Sequence, residues 1–312
     1  MSDVLVIGSY AQNDVDAFNS TFNPTWCAAP ADVASLDDVA RAAIKVVGFK
    51  GHVAFGAAEM DLLPNLQLVA NFGVGYDAID TTAASARGIK VTNTPDVLND
   101  DVADLAVLLL LAHGRKFEQA SQWARDGSWA AKGEYPLARK ISGGKVGILG
   151  LGRIGREIAN RMAAFKMDVH YFARSEKETP NWTYHSDPVA LAAAVDYLVV
   201  ALVGGEETKG FVSKEVLEAL GPRGIIVNIS RGTTIDEEAM IQALTNGALG
   251  GAALDVFLNE PKIDERFYAL DNVTIQPHQG SGTVETRADM GQLQRDNISA
   301  QLAGTALLTP VN

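Results

Sequence analysis

Hydrophobic patterning is most informative near the middle of the chain. Lys145–Val146–Gly147–Ile148–Leu149 is a short apolar run of strand character, followed by Gly150, Gly152 and Gly155 in Gly-x-Gly-x-x-Gly spacing. Beyond them, Ile154, Ile158, Met162 and Phe165 fall at i, i+4, i+8 and i+11, which is one face of a helix. Strand, tight turn and amphipathic helix in that order suit a dinucleotide. Gly150 permits the turn, Gly152 lets backbone approach a pyrophosphate, and Gly155 lets the helix pack closely on the strand. The helix start, with Arg153 and Ile154, then offers N–H groups and a positive dipole end to phosphate.

The same alternation runs along the rest of the chain. Before the glycines, Val4–Ile7, Ile44–Val47, Leu68–Ala70 and Lys90–Thr92 are short apolar runs separated by helical stretches. After them come Val169–Phe172, Tyr197–Leu202, Gly224–Ile229, Ala252–Val256 and Val273–Gln276, with helices such as Ser213–Leu220 and Glu237–Thr245 between. This order predicts an α/β protein built on doubly wound parallel sheets. Asn99–Asp100–Asp101 supplies N-cap candidates for a helix through Val102, Leu105, Leu108 and Leu111 that stops near Gly114. Apolar nearly all round, it is expected to be buried between domains. Residues 117–144 carry Trp123, Trp129 and Tyr135 among charged residues, either an ordinary loop or an arm that packs on a second subunit, with the arm preferred. A final helix is predicted over about Glu285–Leu302, ending at Gly304.

Length and charge narrow the picture. A chain of 312 residues has room for two domains. A net charge of −12 argues against nucleic acid and acidic membrane surfaces as partners, and requires a local positive site for any anionic substrate. One cysteine, Cys27, excludes an internal disulfide framework and fits a reducing compartment. No run of 18 apolar residues occurs, and the chain enters Val4–Ile7 without a basic segment, so neither a membrane span nor a signal peptide is expected, and the location is expected to be cytoplasmic.

Three polar residues directly follow apolar runs: Arg231 in Asn228–Gly232, Glu260 in Asn259–Pro261, and His278 after Pro277. Strand ends of one sheet converge on the cofactor crevice. Carbonyl reduction needs a cation to hold a carboxylate, which a guanidinium does bidentately, an imidazolium to deliver a proton, and a carboxylate to orient that imidazolium. Spacing alone favours the plainer reading of a surface arginine, a loop glutamate and a histidine after a proline. The loop Asn71–Asp77 is similarly open: either a turn that needs glycine, or backbone N–H groups for an anion. Where an NAD-specific site places Asp or Glu about twenty residues after the glycines, this chain has Arg174 and Ser175, so NADP(H) is expected to be preferred, with NAD(H) possible. His52, His113, His170 and His185 lack partners at metal-ligand spacing, and no metal site is expected.

The motifs Gly150–Gly155, Asn228–Gly232, Leu254–Phe257, Glu260–Pro261 and Pro277–His278, with Asn71–Asp77 and Asn93–Ala106, resemble the D-isomer-specific 2-hydroxyacid dehydrogenase family in order and spacing. Thr94–Leu98, Gly280–Arg287 and the Leu-Thr-Pro-Val tail resemble its glyoxylate/hydroxypyruvate and hydroxyphenylpyruvate reductase branch. The resemblance implies two Rossmann-like domains, the substrate domain discontinuous (1–97 plus 284–312) and the dinucleotide domain at 98–283. It implies Arg231 as substrate clamp, His278 as proton donor, Glu260 as its partner, and Val74 and Gly75 as backbone donors to the substrate carboxylate. Asp255 would contact the nicotinamide carboxamide, with Ile229 and Gly280 also lining the cofactor site. A homodimer is implied, through residues 117–144 if the arm is the joining surface. Two departures stand out: Val203 replaces a proline common in the family, and Gln279 replaces an apolar residue and is expected to reach the substrate pocket. The expected activity is NADPH-dependent reduction of glyoxylate and hydroxypyruvate. The alternatives are a dehydrogenase for another D-2-hydroxy acid, or a dinucleotide-sensing protein like the corepressors of this fold, which the fold alone does not separate.

Overall fold

The computed structural model describes residues 2–312. The chain divides into two compact units, Met1–Leu98 with Thr283–Asn312, and Asn99–Gly282.

In the first unit, β1 (Val4–Ile7), β2 (Thr25–Cys27), β3 (Val46–Phe49), β4 (Leu68–Asn71) and β5 (Lys90–Thr92) form a parallel sheet in the order β2-β1-β3-β4-β5. Alternate residues of each strand feed two cores, as the twofold side-chain period dictates. Val4, Val6, Val46 and Leu68 pack with Phe18 and Ile298, whereas Leu5, Ile7, Val47, Phe49 and Val69 pack with Ile44, Met60 and Leu63. The last helix, Val284–Ala303, lies on β3 and β4 and ends at Gly304 in left-handed conformation. The tail after it is sewn to the edge strand. The Val311 N–H donates to the Val91 carbonyl at 2.9 Å, the Val91 N–H to Asn312 Oδ1 at 2.7 Å, and Thr309 Oγ1 to the Asn93 carbonyl at 2.6 Å.

In the second unit, β6 (Lys145–Leu149), β7 (Asp168–Phe172), β8 (Thr183–His185), β9 (Tyr197–Val200), β10 (Ile225–Asn228), β11 (Gly251–Leu254) and β12 (Val273–Ile275) form an all-parallel sheet, order β12-β11-β10-β9-β6-β7-β8. The order reverses between β6 and β9, beside the glycine turn. On the helix that follows, Arg153–Ala164, Ile158 and Met162 are buried as the periodicity predicts.

Departures from the sequence reading are local. The short strands β2 and β8 carry too few apolar residues to stand out as runs. The helix Asn99–Gly114 packs on the glycine-turn helix and on β10, β11 and β12 through Val102, Ala103, Ala106, Leu109 and Leu110. It is not buried all round, since Leu108 is 57% exposed. Arg161 fastens it, reaching Asp100 at 2.7 Å and Asp104 at 2.6 Å. Half of residues 117–144 are helical, in Phe117–Arg125 and Ser128–Lys132, and the rest of the segment, chiefly 133–144, is not. Trp123 holds this segment together by donating to the Gly133 carbonyl at 3.1 Å and standing edge-on to Tyr135. His170 and His185 meet at 2.9 Å, with Asp168 on the other ring nitrogen of His170 at 3.2 Å, a contact between neighbouring strands that linear spacing hides. Among the described residues no helix is long and apolar enough to cross a membrane.

Candidate active site

The glycine turn is built for close approach. Gly150 has φ +97°, and a Cβ there would lie 2.6 Å from the Ala201 carbonyl oxygen. A Cβ on Gly155 would overlap the Gly150 carbonyl oxygen, so helix and strand touch backbone to backbone. At Gly152 a Cβ would meet nothing within 4 Å; this glycine faces open space. The first bond of the helix runs from the Arg156 N–H to the Gly152 carbonyl at 2.9 Å, so the N–H groups of Ile154 and Gly155 precede the helical ladder and face outward. A cradle of this shape fits a pyrophosphate.

At the end of β7 the chain turns through Ala173, which is buried, to Arg174 and Ser175, which are exposed. Tyr171 pins the turn, its hydroxyl accepting from the Lys177 N–H at 2.9 Å and donating to the Lys177 carbonyl at 3.0 Å. That places Lys177 Nζ 3.4 Å from Ser175 Oγ, a second cation the sequence reading passed over.

Three loops at the carboxyl edge of β10, β11 and β12 carry the remaining candidates. Arg231 is fixed through its backbone: its carbonyl accepts from Asn228 Nδ2 at 3.0 Å and Thr234 Oγ1 at 2.6 Å, while Nη1 donates to the Ser230 carbonyl at 2.8 Å. Ile229 is buried, and its N–H reaches the Val200 carbonyl. A Cβ on Gly232 would overlap the Phe257 backbone, so the Arg231 loop is seated on the chain leading to Glu260. Glu260 uses both oxygens, accepting from the Phe257 N–H at 2.9 Å and meeting His278 Nδ1 at 2.6 Å. The pair is part-buried, the His278 and Glu260 side chains being 30% and 19% exposed. Eighteen residues apart in sequence, these two are brought together by adjacent loops of one sheet.

Asp255 holds the histidine's loop in place. It is 1% exposed, and its two oxygens accept from the N–H groups of Gln279 at 2.6 Å and Gly280 at 2.8 Å, while its carbonyl accepts from the His278 N–H at 2.9 Å. Burial pushes its carboxyl above the ordinary range, and the two N–H groups oppose that. This bracing role was not visible in the sequence. The Gln279 side chain turns back on its own loop, Nε2 lying 3.4 Å from the Pro277 carbonyl. Val203 is exposed, and its carbonyl accepts from Thr208 Oγ1 at 2.6 Å.

In the first unit the loop after β4 has its carbonyls turned inward. Asn71 Nδ2 donates to the carbonyls of Gly73 at 3.0 Å and Gly75 at 2.9 Å, and Asn93 Nδ2 donates to that of Val74 at 2.9 Å. With the carbonyls tied inward, the N–H groups of Val74 and Gly75 make no hydrogen bond among the described residues.

A dinucleotide turn and a histidine–carboxylate pair on the carboxyl edge of one parallel sheet define a dinucleotide-dependent oxidoreductase. Comparison with known proteins makes this specific: residues 107–280 match the D-isomer specific 2-hydroxyacid dehydrogenase, NAD binding domain, and the chain belongs to the D-isomer-specific 2-hydroxyacid dehydrogenase family. It is 46% identical over 268 residues to hydroxyphenylpyruvate reductase from Plectranthus scutellarioides, covering 86% of this chain and 85% of the relative. It is 43% identical over 305 residues to glyoxylate/hydroxypyruvate reductase A from Arabidopsis thaliana, covering 98% and 96%. A similar solved structure is the NADPH-dependent glyoxylate/hydroxypyruvate reductase of Sinorhizobium meliloti in complex with NADP and malonate, with TM-score 0.94, 41% identity and coverage of 99% of this chain and 96% of that one.

Proposed function

We propose that this chain reduces small 2-oxo acids, glyoxylate and hydroxypyruvate foremost, to D-2-hydroxy acids with NADPH. The observation that carries the reading is the 2.6 Å contact of His278 Nδ1 with Glu260 on a loop braced by Asp255. Gly150, Gly152, Arg153, Ile154 and Gly155 would hold the pyrophosphate, and Ile229, Asp255 and Gly280 would line the nicotinamide end. When bound, a reduced nicotinamide would supply the hydride for the carbonyl carbon. Val74 and Gly75 donate backbone N–H groups to the substrate carboxylate, and Arg231 clamps carboxylate and carbonyl oxygen with its planar fork. His278 holds the second proton on Nε2, since Nδ1 faces Glu260, and passes it to the carbonyl oxygen as charge builds there. One 2-oxo acid, one NADPH and one proton give one 2-hydroxy acid and one NADP⁺. The test is NADPH and NADH oxidation across 2-oxo acids of increasing side-chain size. Turnover of glyoxylate and hydroxypyruvate is expected; dinucleotide binding without turnover of any 2-oxo acid would overturn the reading in favour of a sensor.

Preference for NADPH rests on Arg174 and Ser175 at the end of β7, with Lys177 beside them, and on the NADP held by the similar S. meliloti structure. A charge-assisted contact contributes roughly 1.5–3 kcal/mol, about ten- to a hundredfold. Arg174→Ala is expected to lower the NADPH/NADH ratio of kcat/KM by about tenfold, Lys177 supplying part of the charge that remains. An unchanged ratio in Arg174→Ala/Lys177→Ala would show that the 2′-phosphate is read elsewhere.

We also propose a homodimer joined through residues 117–144. Phe117 and Trp129 are each 66% exposed and Leu137 is 98% exposed, in addition to Leu108 on the preceding helix. Large apolar side chains of this kind are enriched in interface cores. Light scattering at micromolar concentration is expected to give twice the chain mass, and a monomeric mass would contradict this.

A further inference from the structure

Lys50 sits at the carboxyl edge of the five-stranded sheet, directly after β3. The strand order there reverses between β1 and β3, and open α/β sheets take ligands at such a switch point. Its ammonium nitrogen lies 5.1 Å from the ring centroid of Tyr10, beyond β1, and 4.7 Å from that of Phe72, just after β4. The Arg287 guanidinium, on the last helix, lies 5.8 Å from the same Phe72 ring. The aromatic floor is stiff. Tyr10 packs edge-on against Phe18, Trp26 and Phe72, and Gln294 Nε2 donates to its hydroxyl at 3.0 Å and to the carbonyls of Phe49 and Ala70.

This is an unusual setting for a lysine. Burial first, and then the nearby Arg287, hold the ammonium below the ordinary lysine range. Asp14 is the acid that favours its charge, but Asp14 is taken by Arg295 at 2.7 Å. Among the described residues the contacts of the Lys50 ammonium are with the two rings, not with an acid or a hydrogen-bond acceptor. Cation–π contacts compensate part of the lost hydration, and a second cation works against them. An anion placed beside Lys50 would offset the burial of its ammonium. Phe72 leads directly into Gly73–Val74–Gly75, the loop whose outward N–H groups suit the substrate's first carboxylate.

We propose that Lys50, together with Arg287, forms a second anion subsite that receives a distal carboxylate, so that 2-oxo dicarboxylic acids are reduced in preference to neutral-tailed 2-oxo acids of equal length. This rests on the reductase reading above and adds to it the charge of the substrate's far end. On a chain with net charge −12, a local pair of cations favours the approach of a dianion.

The experiment compares kcat/KM for oxaloacetate and 2-oxobutyrate, four carbons each, in wild type and Lys50→Met, which keeps the apolar stem against the rings. Wild type is expected to favour oxaloacetate by about ten- to a hundredfold, the range of one charge-assisted contact, and the variant to bring the ratio near one. Equal turnover of the two in wild type, or an unchanged ratio in Lys50→Met, overturns the subsite. Binding is read separately, by thermal shift with D-malate and D-2-hydroxybutyrate. Malate should stabilise wild type more than the variant, while hydroxybutyrate should not distinguish them; equal malate shifts overturn the subsite. Failure of glyoxylate and hydroxypyruvate turnover alongside a Lys50-dependent malate shift would reject the reductase reading and leave the subsite standing.

Discussion

Arg231→Lys is expected to lower kcat/KM for glyoxylate by about 100- to 1,000-fold, the cost of removing one preorganised donor from a developing oxyanion. The substitution keeps the charge, so a site that needs only a cation would be nearly unaffected. Two features argue that more than charge is needed. A guanidinium offers paired donors in a plane and so serves carboxylate and carbonyl oxygen together, whereas an ammonium is a compact point charge on a flexible stem. The structure also fixes this residue's direction: its carbonyl is tied to Asn228 and Thr234, and Nη1 is tied to the Ser230 carbonyl. A lysine would inherit the backbone but not the fork. Steady-state kinetics with glyoxylate check this, and full activity in Arg231→Lys would mean that the substrate is held elsewhere.

The second large effect concerns the proton. His278→Ala is expected to reduce the rate of 2-oxo acid reduction by about 100- to 10,000-fold, the usual worth of a positioned general acid. Glu260→Gln is the more diagnostic change. The carboxylate at 2.6 Å from Nδ1 forms a charge-assisted contact with the ring, and an amide of the same shape offers only a neutral partner. The variant's kcat for reduction is expected to fall by about ten- to a hundredfold, with KM for glyoxylate little changed. A wild-type kcat in Glu260→Gln would restrict Glu260 to holding the Phe257 N–H.

The difference between what was legible in the sequence and what was not follows from the range of each interaction. The glycine turn was legible because its three glycines fall within six consecutive residues and Gly155 seats on the Gly150 carbonyl, although the room Gly150 leaves for the Ala201 carbonyl is a long-range contact. Most interior strands were legible because both faces are buried, and burial writes itself as an unbroken apolar run. At two of the four sheet margins that rule lapses, and Thr25–Cys27 and Thr183–His185 left little trace, whereas the edge strands β5 and β12 were still legible. The helix Asn99–Gly114 shows the opposite failure: its apolar composition suggested burial on every side, yet Leu108 is exposed in the single chain. Arg231, Glu260 and His278 stood out by position after strands, but their assembly depends on β10, β11 and β12 lying side by side. Asp255 was assigned toward the cofactor through family resemblance, and its grip on the Gln279 and Gly280 N–H groups appears only in three dimensions. Lys50 left no signal at all, because a lone lysine after a strand reads as ordinary surface charge until the rings beneath it are seen.

Gly232 leaves no room for a side chain against the Phe257 backbone, so the loops bearing Arg231 and Glu260 are packed as one piece. Heritable change is therefore heavily constrained along that edge, since an alteration in either loop is felt by the other. The backbone of Lys50 is packed as closely on Gly8, but its side chain stands apart from this constraint, reaching over the Tyr10 and Phe72 rings. Lineages sharing this architecture would be expected to diversify in what they reduce by exchanging residues of the first unit. The apparatus that moves the proton and orients the carbonyl would pass from ancestor to descendant almost unaltered.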